Sequence, residues 1–459
     1  MQAVLLIDFG STYTKVTIVD LDREEIVGTA QAGTTIETNI MDGLQVALAQ
    51  IPEPAGGWEF VRKLACSSAA GGLKMIASGL VKELTAEAAR RAALGAGARV
   101  LQVFSYELTA QDLAKIISFL PDILLLAGGT DGGNKDVLLK NAETLCALPS
   151  SLPVVIAGNK VVSAQAAEIL RKRHNPVVVA DNVMPELGVL AVESARMAIR
   201  DVFLSHIVKA KGLDKAEEFL ERVMMPTPAA VLSAAELLAQ GHGSELGIGE
   251  LMVVDVGGAT TDVHSIAKGD PSKPGVMLRG LPEPFAKRTV EGDLGMRYSS
   301  EALVEASGRR LTDYLGWSGD KVADQLSLYK EDPWRIPQTE EEAKFDVAMG
   351  RMAVDLAAER HVGTIEVAYT PYGATYVQHG KDLTPLPVII GTGGVLLHHP
   401  DASEILRGAV FNPGEPTSLK PQNAVFYLDK EYILAAMGLL REVAPQVALR
   451  MMKKYVVKQ

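Results

Sequence analysis

Two short runs of apolar and β-branched residues open the chain, Val4–Asp8 and Val16–Asp20, with a glycine-containing turn between them. Runs of this kind around a tight turn predict a β-hairpin. From about residue 99 to residue 180 the pattern changes, because short apolar runs alternate with segments of helical spacing. This alternation predicts βαβ units and a parallel sheet. The strand-like runs are Val100–Phe104, Ile123–Leu126, Val154–Ala157 and Val177–Ala180, and the helical segments include Ala110–Phe119 and Ser163–Arg173.

The apolar pattern of the remaining chain is first helical and then strand-like. From Met184 to about Gln240 apolar residues recur at helical spacing. A glycine-rich break follows, and the run Leu251–Val256 predicts a new strand. The last periodic segment, Glu431–Val456, predicts a C-terminal helix that packs against the rest of the fold.

Composition narrows the class of protein without naming a function. The 459 residues are 47% apolar and 22% charged, which is typical of globular proteins. The net charge of −11 argues against a nucleic-acid partner, since binding to phosphate backbones usually requires a basic surface. No apolar run approaches the roughly 20 residues that a membrane span needs, and the N-terminus lacks a signal-peptide pattern. We therefore expect a cytoplasmic protein without a membrane partner.

The opening segment has a counterpart in the second half of the chain. "LLIDFGSTYTKV" aligns with "MVVDVGGATTDV", which places apolar residues before an aspartate and a glycine turn after it in both segments. Asp8 corresponds to Asp255, Gly10 to Gly257 and Thr14 to Thr261. A repeated hairpin indicates two duplicated lobes that face a shared cleft.

The residue types of this turn suit a magnesium-bound phosphate chain. Glycine lets backbone N–H groups approach an anion, and hydroxyl groups add further donors. An aspartate beside a phosphate would repel it, unless a Mg²⁺ ion held through water lies between the two. The pattern therefore predicts a nucleotide site. The expected phosphate ligands are Gly10, Ser11, Thr12, Gly257, Gly258, Thr260 and Thr261, with Lys15 as a neutralising charge or a solvent-facing side chain.

The two segments resemble the phosphate-1 and phosphate-2 signatures of the actin/hexokinase/Hsp70 ATPase superfamily. "PVIIGTGGVLL", with Gly391, Thr392, Gly393 and Gly394, resembles the adenosine signature, in which glycine lets the backbone approach the nucleoside. "NVMPELGVLAV", residues 182–192, resembles the first interlobe helix. The resemblance implies an α/β fold of two actin-like, ribonuclease H-like lobes. Lobe I is expected at 1–184 with an inserted parallel βα segment at about 95–180, a helical interlobe region at 185–249, and lobe II at 250–459.

A fifth segment, "KRTVEGDLGMR", follows the second hairpin where superfamily members have a further strand and a glycine turn. The complete order resembles accessory proteins of adenosylcobalamin-dependent mutases and aminomutases, in particular the MutL-type glutamate mutase accessory family. That family is unrelated to the DNA mismatch-repair protein of the same name. The resemblance implies an ATPase that uses ATP and Mg²⁺ to release damaged cobalamin from mutase subunits, and it leaves a homo-oligomer possible.

Within this resemblance, Asp8 and Asp255 are the candidates for organising Mg²⁺ and the attacking water. The alternative is that each aspartate only caps its turn. Glu186 follows a proline at the expected start of the interlobe helix and resembles the carboxylate that positions water in some superfamily members. An acidic residue in the first turn of a helix also has an ordinary electrostatic explanation, so the two interpretations of Glu186 stay open.

Other features suggest rival functions. "AGGTDGGNK", residues 127–135, follows a strand but lacks the GK[ST] ending of a P-loop. Cys66 and Cys146 allow an iron–sulfur ATPase that activates a 2-hydroxyacyl-CoA dehydratase. Core packing explains them better, because they lie far apart in sequence and Cys146 belongs to a helical apolar pattern. A small-molecule kinase on the same scaffold would need an acceptor site with a base, which the sequence does not reveal. The adjacent His398 and His399 are poorly spaced to bind a metal together.

Overall fold

The computed structural model describes residues 3–35, 39–54, 57–68, 73–148, 152–174, 176–207, 219–220, 222–371 and 373–459. The chain forms two compact units. Unit 1 consists of Met1–Ala234, Gly280–Pro282 and Leu434–Met451, and unit 2 of Ala235–Arg279, Glu283–Ile433 and Met452–Gln459. Among the described residues, no helix combines the length and the hydropathy that crossing a membrane requires.

The described elements up to residue 240 comprise ten strands and seven α-helices. They are β1 (Ala3–Phe9), β2 (Tyr13–Asp20), β3 (Glu25–Gly33), α1 (Ile40–Leu48), β4 (Phe60–Ser67), β5 (Lys74–Gly79), a π-helical turn (Lys82–Ala86), α2 (Glu87–Gly95), β6 (Arg99–Ser105), α3 (Ala110–Phe119), β7 (Ile123–Leu126), α4 (Asp136–Leu145), β8 (Val154–Ile156), α5 (Lys160–Leu170), β9 (Val177–Val179), α6 (Glu193–Val202), a second π-helical turn (Phe203–Ile207), β10 (Arg222–Pro226) and α7 (Thr227–Gln240).

The elements after residue 240 continue the numbering. They are β11 (Gly241–His242), β12 (Glu245–Leu246), β13 (Leu251–Val256), β14 (Thr261–Ile266), β15 (Val276–Arg279), β16 (Ala286–Glu291), α8 (Ser300–Ser307), α9 (Arg309–Leu315), α10 (Gly319–Glu331), α11 (Glu340–His361), β17 (Thr364–Thr370), β18 (Gly373–His379), β19 (Val388–Thr392), α12 (Gly394–His398), α13 (Ala402–Leu406), a 3₁₀ turn (Arg407–Ala409), β20 (Val425–Asp429), α14 (Leu434–Leu440), α15 (Pro445–Tyr455) and β21 (Val456–Lys458).

The first sheet of unit 1 has the strand order β10-β4-β1-β2-β3. Strands β1, β2 and β3 form an antiparallel meander, whereas β4 is parallel to β1 and β10 is parallel to β4. The predicted hairpin is confirmed, and its register places Asp8 opposite Lys15. Strand β1 is buried along its whole length, as expected of a central strand with both faces covered.

Unit 2 repeats this arrangement in the order β16-β14-β13-β19-β20-β21. Strands β13, β14 and β16 are antiparallel neighbours, and β19 and β20 add in parallel beside β13. Apart from the additional β21, the order and directions match those of the first sheet. This duplicated ribonuclease H-like arrangement confirms the actin-like α/β fold that the repeated hairpins indicated.

A second sheet in unit 1 is entirely parallel, with the order β6-β5-β7-β8-β9. This confirms the parallel βα segment that the alternating pattern predicted. The sheet also includes β5 at Lys74–Gly79, a strand that begins before the expected start at about residue 95. The two faces of this sheet pack into different apolar cores, since Ile76 belongs to one cluster and the adjacent Ala77 to the other.

Two helical expectations are wrong in detail. Residues 182–192 contain no helix, and α6 begins only at Glu193. The C-terminal segment forms two helices, α14 and α15, followed by the short strand β21. The helix that leaves the last strand of the first sheet is α7, which carries the chain from unit 1 into unit 2.

Candidate functional site: the two aspartate hairpins

The two hairpin turns close in the same way. The backbone N–H of Gly10 donates to the carbonyl of Tyr13 at 3.0 Å, and that of Gly257 donates to the carbonyl of Thr260 at 2.9 Å. A Cβ atom would lie 2.6 Å from the Tyr13 oxygen at the first glycine and 2.9 Å from the Thr260 oxygen at the second. Both turns therefore require glycine for their own closure.

Asp8 lies at the end of β1 and is only 8% exposed. Its Oδ1 atom accepts a hydrogen bond of 2.6 Å from the Thr227 hydroxyl and lies 3.6 Å from the sulfur of Cys66. Its Oδ2 atom lies 4.0 Å from Nζ of Lys15. Strand register explains two of these neighbours, because Cys66 and Lys15 stand beside Asp8 on β4 and β2. Lys15 thus faces the carboxylate rather than open solvent.

The hydroxyl groups of the first turn mostly bond to the protein. Ser11 is exposed, and its hydroxyl donates to the Ser68 carbonyl at 2.7 Å. Thr14 is buried and shares a hydrogen bond of 3.2 Å with Thr34. Thr12 is half-buried. These contacts fix the shape of the turn, so its backbone N–H groups are the more suitable donors for an anion.

The second hairpin places Asp255 at the end of β13, where it is half-buried. Its register neighbours are Asp262 on β14 and Thr392 on β19, so the second hairpin and the adenosine-like segment adjoin in one sheet. Asp262 is an ion-pair partner, since Arg288 Nε donates to its Oδ1 atom at 2.8 Å. Thr260 donates to the other oxygen of Asp262 at 3.1 Å.

The predicted fifth segment packs against the second turn. The carbonyl of Gly258 accepts hydrogen bonds from the backbone N–H groups of Arg297 and Tyr298, at 2.8 and 2.9 Å. A Cβ atom on Gly295 would lie 2.3 Å from the backbone of Ala259. The buried hydroxyl of Thr261 donates to the Leu294 carbonyl at 2.6 Å. Hydrogen bonds and close packing from this segment therefore stabilise the conformation of the second turn.

The three glycines of the adenosine-like segment have different surroundings. A Cβ atom on Gly391 would contact the side chains of Leu396 and Leu406 at 3.0 Å. Gly393 has a φ of +106°, and its Cβ would lie 2.3 Å from the carbonyl oxygen of Val256. Gly394 has open space on its Cβ side. Internal packing thus explains two of the glycines, and Gly394 is the one available for close approach by a ligand.

Glu186 does not lie at a helix start, contrary to expectation. It is exposed and belongs to a turn in which its carbonyl accepts a hydrogen bond from the N–H of Val189 at 3.0 Å. The segment is held elsewhere, because the N–H of Asp131 donates to the Pro185 carbonyl at 2.9 Å. In α7, along which the chain passes from unit 1 into unit 2, the first helical residue is Thr227.

Thr227 is the site residue that the sequence interpretation missed. Buried Met225 and Pro226 precede it, so no carboxylate stands immediately before the helix. The available signal was the start of "PTPAAVLSAAELLA", in which a threonine followed by proline opens an alanine-rich helix.

The glycine-rich loop 127–135 is stabilised by its own polar side chains. Asp131 accepts hydrogen bonds from the backbone N–H of Lys160 at 3.0 Å and from the side-chain amide of Asn182 at 2.9 Å. Burial opposes ionisation of Asp131, but these hydrogen bonds lower its pKa below the ordinary value. Asn159 donates to the carbonyls of Gly133 and Asn134. The Asp131 carboxylate therefore occupies the N-terminus of α5, where an anion would otherwise bind.

The two cysteines have surroundings that disfavour thiolate chemistry. Cys66 is fully buried, and burial together with the Asp8 charge raises its pKa well above the ordinary value. Burial also raises the pKa of Cys146, whose sulfur donates to the Ile169 carbonyl at 3.4 Å. Metal ligation requires the thiolate form. Within the described ranges, His, Cys, Asp and Glu form no group of three that could hold a metal ion.

Comparison with known proteins decides the family. The model of the MutL protein family matches residues 4–456. The chain belongs to the MutL family. The curated protein called Protein MutL from Clostridium tetanomorphum is 57% identical over 461 residues, which cover 100% of both chains. The MutL-type resemblance that the complete order of the five segments indicated is thereby confirmed.

Solved structures give weaker similarities. The chain is similar to xylulose kinase from Lactobacillus acidophilus, with 11% identity, 100% of this chain and 93% of that chain covered, and a TM-score of 0.37. It is also similar to a diol dehydratase-reactivating factor, with 11% identity, coverages of 96% and 99%, and a TM-score of 0.35. The fold class of this MutL family member rests on its own duplicated strand order, which is that of an actin-like α/β protein.

Proposed function

We propose that the protein is an ATP-binding and ATP-hydrolysing accessory protein that reactivates an adenosylcobalamin-dependent mutase, such as glutamate mutase or an aminomutase, by promoting release of damaged cobalamin. The observation that carries the ATPase part is the pair of equivalent hairpins, each with an aspartate before a glycine-closed turn, at the same position of two sheets of the same order. Membership of the MutL family supports the accessory role.

The residues present fit magnesium better than a tightly coordinated transition metal. Each hairpin offers one carboxylate directly before its glycine turn, Asp8 or Asp255, and groups of three metal-binding side chains are absent from the described part of the chain. Mg²⁺ is typically bound by one or two carboxylates, several waters and the phosphates of its nucleotide. When bound, it would neutralise charge on the transferred phosphoryl group. Asp8 and Asp255 would hold it through water.

The residues of the chain have separable roles in this proposal. Backbone N–H groups of the two turns bind phosphate oxygens, and Lys15, which already faces Asp8, adds positive charge. The aspartates orient the water that attacks the terminal phosphate, because phosphoryl transfer depends mainly on positioning and charge neutralisation. Gly394 admits the nucleoside. Hydrolysis then shifts the population between a mutase-binding and a mutase-releasing conformation.

The rival functions have less support. An iron–sulfur activator needs cysteine thiolates that can reach a cluster, whereas Cys66 is fully buried against the Asp8 carboxylate. Iron in anaerobically purified protein would nevertheless favour that function. A small-molecule kinase would transfer phosphate stoichiometrically to a metabolite without a protein partner.

The test is a comparison of phosphate release from ATP by the purified protein alone and with mutase subunits. We expect the protein to hydrolyse ATP in a Mg²⁺-dependent reaction. We also expect it to co-elute with the mutase, to an extent that changes when nucleotide is added. Hydrolysis without any interaction with cobalamin-dependent mutases would contradict the accessory role. Absence of nucleotide binding would contradict the ATPase role.

A further inference from the structure

The hydrogen bond from Thr227 to Asp8 joins two segments that are far apart in sequence. The Thr227 hydroxyl lies 2.6 Å from Oδ1 of Asp8 and 3.7 Å from the sulfur of Cys66. Hydrogen bonds to a carboxylate are stronger than those between neutral groups, and this carboxylate is nearly buried. One oxygen of Asp8 is therefore held by the first residue of α7, while Oδ2 is the oxygen nearer to Lys15.

Within unit 1, the N-terminal half of α7 is locked against α14. A Cβ atom on Gly438 would lie 2.0 Å from the carbonyl oxygen of Ala230, so the two helices are in close backbone contact. Arg441 donates to the carbonyl of Ser233 at 2.8 Å and to its hydroxyl at 3.1 Å. Because α7 is held this closely, a displacement at Thr227 must be shared by the helix and its partner.

We propose that Thr227 is a positioning residue that fixes the orientation of the Asp8 carboxylate and couples its state to helix α7. This inference rests on the proposed function. The Thr227 hydroxyl holds Oδ1, so that Oδ2 is presented to the water shell of magnesium. A change in charge around Asp8 on nucleotide binding or hydrolysis alters the strength of this hydrogen bond, and the start of α7 responds. Since α7 carries the chain from unit 1 into unit 2, the hydrogen bond between Thr227 and Asp8 connects the proposed nucleotide site to this helix.

Thr227→Val tests the hydroxyl with little change in shape, and Thr227→Ser restores the donor. A matched control is Thr109→Val, which removes the hydroxyl of another threonine at a helix start in unit 1, where it accepts from the N–H of Asp112 and caps α3. For each variant, ATP hydrolysis is titrated with Mg²⁺ at saturating ATP. Hydrogen exchange of the amides of residues 227–240 is measured with and without Mg²⁺-ATP, and ATP binding is measured separately.

We expect Thr227→Val to raise the Mg²⁺ concentration for half-maximal hydrolysis by about tenfold, equivalent to about 1.4 kcal/mol. It should also abolish the nucleotide-dependent change in exchange of α7 while ATP still binds. Thr227→Ser and Thr109→Val should behave as the wild-type protein does. A Thr227→Val protein with wild-type Mg²⁺ dependence and wild-type exchange would overturn this inference alone. Failure of the wild-type protein to bind ATP would overturn the proposed function and this inference with it.

Discussion

Arg288 forms a nearly buried ion pair with Asp262. Its Nε atom donates to Oδ1 of Asp262 at 2.8 Å, and its Nη2 atom lies 2.5 Å from the same oxygen. Arg288 is 4% exposed and Asp262 is 9% exposed. The pair joins β14 to β16 directly beside the second turn, so it fixes one side of the hairpin that carries Asp255.

Replacing Arg288 by Met should destabilise the fold, because it leaves the Asp262 carboxylate nearly buried without its counter-charge. We expect the free energy of unfolding to fall by about 3 kcal/mol, measured by denaturant titration. The double variant Asp262→Asn/Arg288→Met should recover part of this loss. The control is Arg407→Met, because the Arg407 side chain is 64% exposed in its ion pair with Glu404. This substitution should lower the free energy of unfolding by less than about 1 kcal/mol. Equal losses at the two arginines would contradict this account.

His264 predicts a specific pH dependence of stability. Burial lowers its pKa from 6.5 to about 3, with Asp262 opposing and Arg288 adding to the shift. The folded protein therefore holds a neutral imidazole, whereas the unfolded chain takes up a proton as the pH falls below about 6.5. The stabilisation is complete above that pH and decreases as the pH falls towards the folded pKa, by at most about 1.4 kcal/mol per pH unit.

The measurement is denaturant unfolding of wild type and His264→Leu between about pH 7 and pH 5, where most carboxylates remain ionised. The variant should lose part of the slope, while burial of His361, which lowers its pKa as well, maintains the rest. His398→Gln alters an exposed histidine of the same unit and should retain the wild-type slope. An unchanged slope in His264→Leu would show that the folded state binds this proton.

Substitutions at Gly394 and Gly391 should distinguish an effect on nucleotide binding from an effect on packing. Gly394→Ala should change stability by less than about 0.5 kcal/mol, because its Cβ meets open space, yet weaken ATP binding about tenfold if the nucleoside approaches this backbone. Gly391→Ala places its Cβ 3.0 Å from leucine side chains and should lower the free energy of unfolding by about 1 to 3 kcal/mol. Calorimetric titration with ATP, together with thermal unfolding, measures both quantities. Wild-type affinity in Gly394→Ala would remove this residue from the proposed site.

Asp8→Ala and Asp255→Ala should each lower the rate of ATP hydrolysis by about a hundredfold or more, because each removes a carboxylate that positions the magnesium water shell. Phosphate release at saturating ATP measures the rate. Asp22→Asn, an exposed substitution in the β2–β3 turn, serves as the control. Hydrolysis that survives in both alanine variants would refute the assignment of the two aspartates.

The sequence predicts the elements that depend on the pattern of neighbouring residues. It does not predict those that depend on contacts between segments far apart in the chain. The hairpin at Asp8 follows from two short runs of apolar and β-branched residues around a glycine turn. Its repetition at Asp255 made a motif that is weak by itself sufficient to predict the fold. By contrast, the helix expected at 182–192 was inferred from the helical spacing of apolar residues and from the resemblance of this segment to an interlobe helix. Tertiary contacts override that signal, because Pro185 is bound by the loop at Asp131.

The neighbours of Asp8 show the same limit. Cys66 lies beside it because β4 adds in parallel to β1, and Thr227 because α7 follows β10. Both neighbours are far from residue 8 in sequence, so the sequence pattern around Asp8 could not predict that they lie beside it. The same applies to Gly391 and Gly393, whose packing roles depend on strands and helices that assemble around them.

The central claim is tested most directly by exchange of cobalamin on an inactivated mutase. A glutamate mutase or aminomutase holding a tightly bound inactive cobalamin is incubated with the protein, Mg²⁺ and ATP, and free corrinoid is quantified by absorbance after gel filtration. The account predicts release with hydrolysable ATP, and none with Asp8→Ala or Asp255→Ala. Retention of the inactive cobalamin by every such mutase, while the wild-type protein hydrolyses ATP and binds the mutase, would contradict the account.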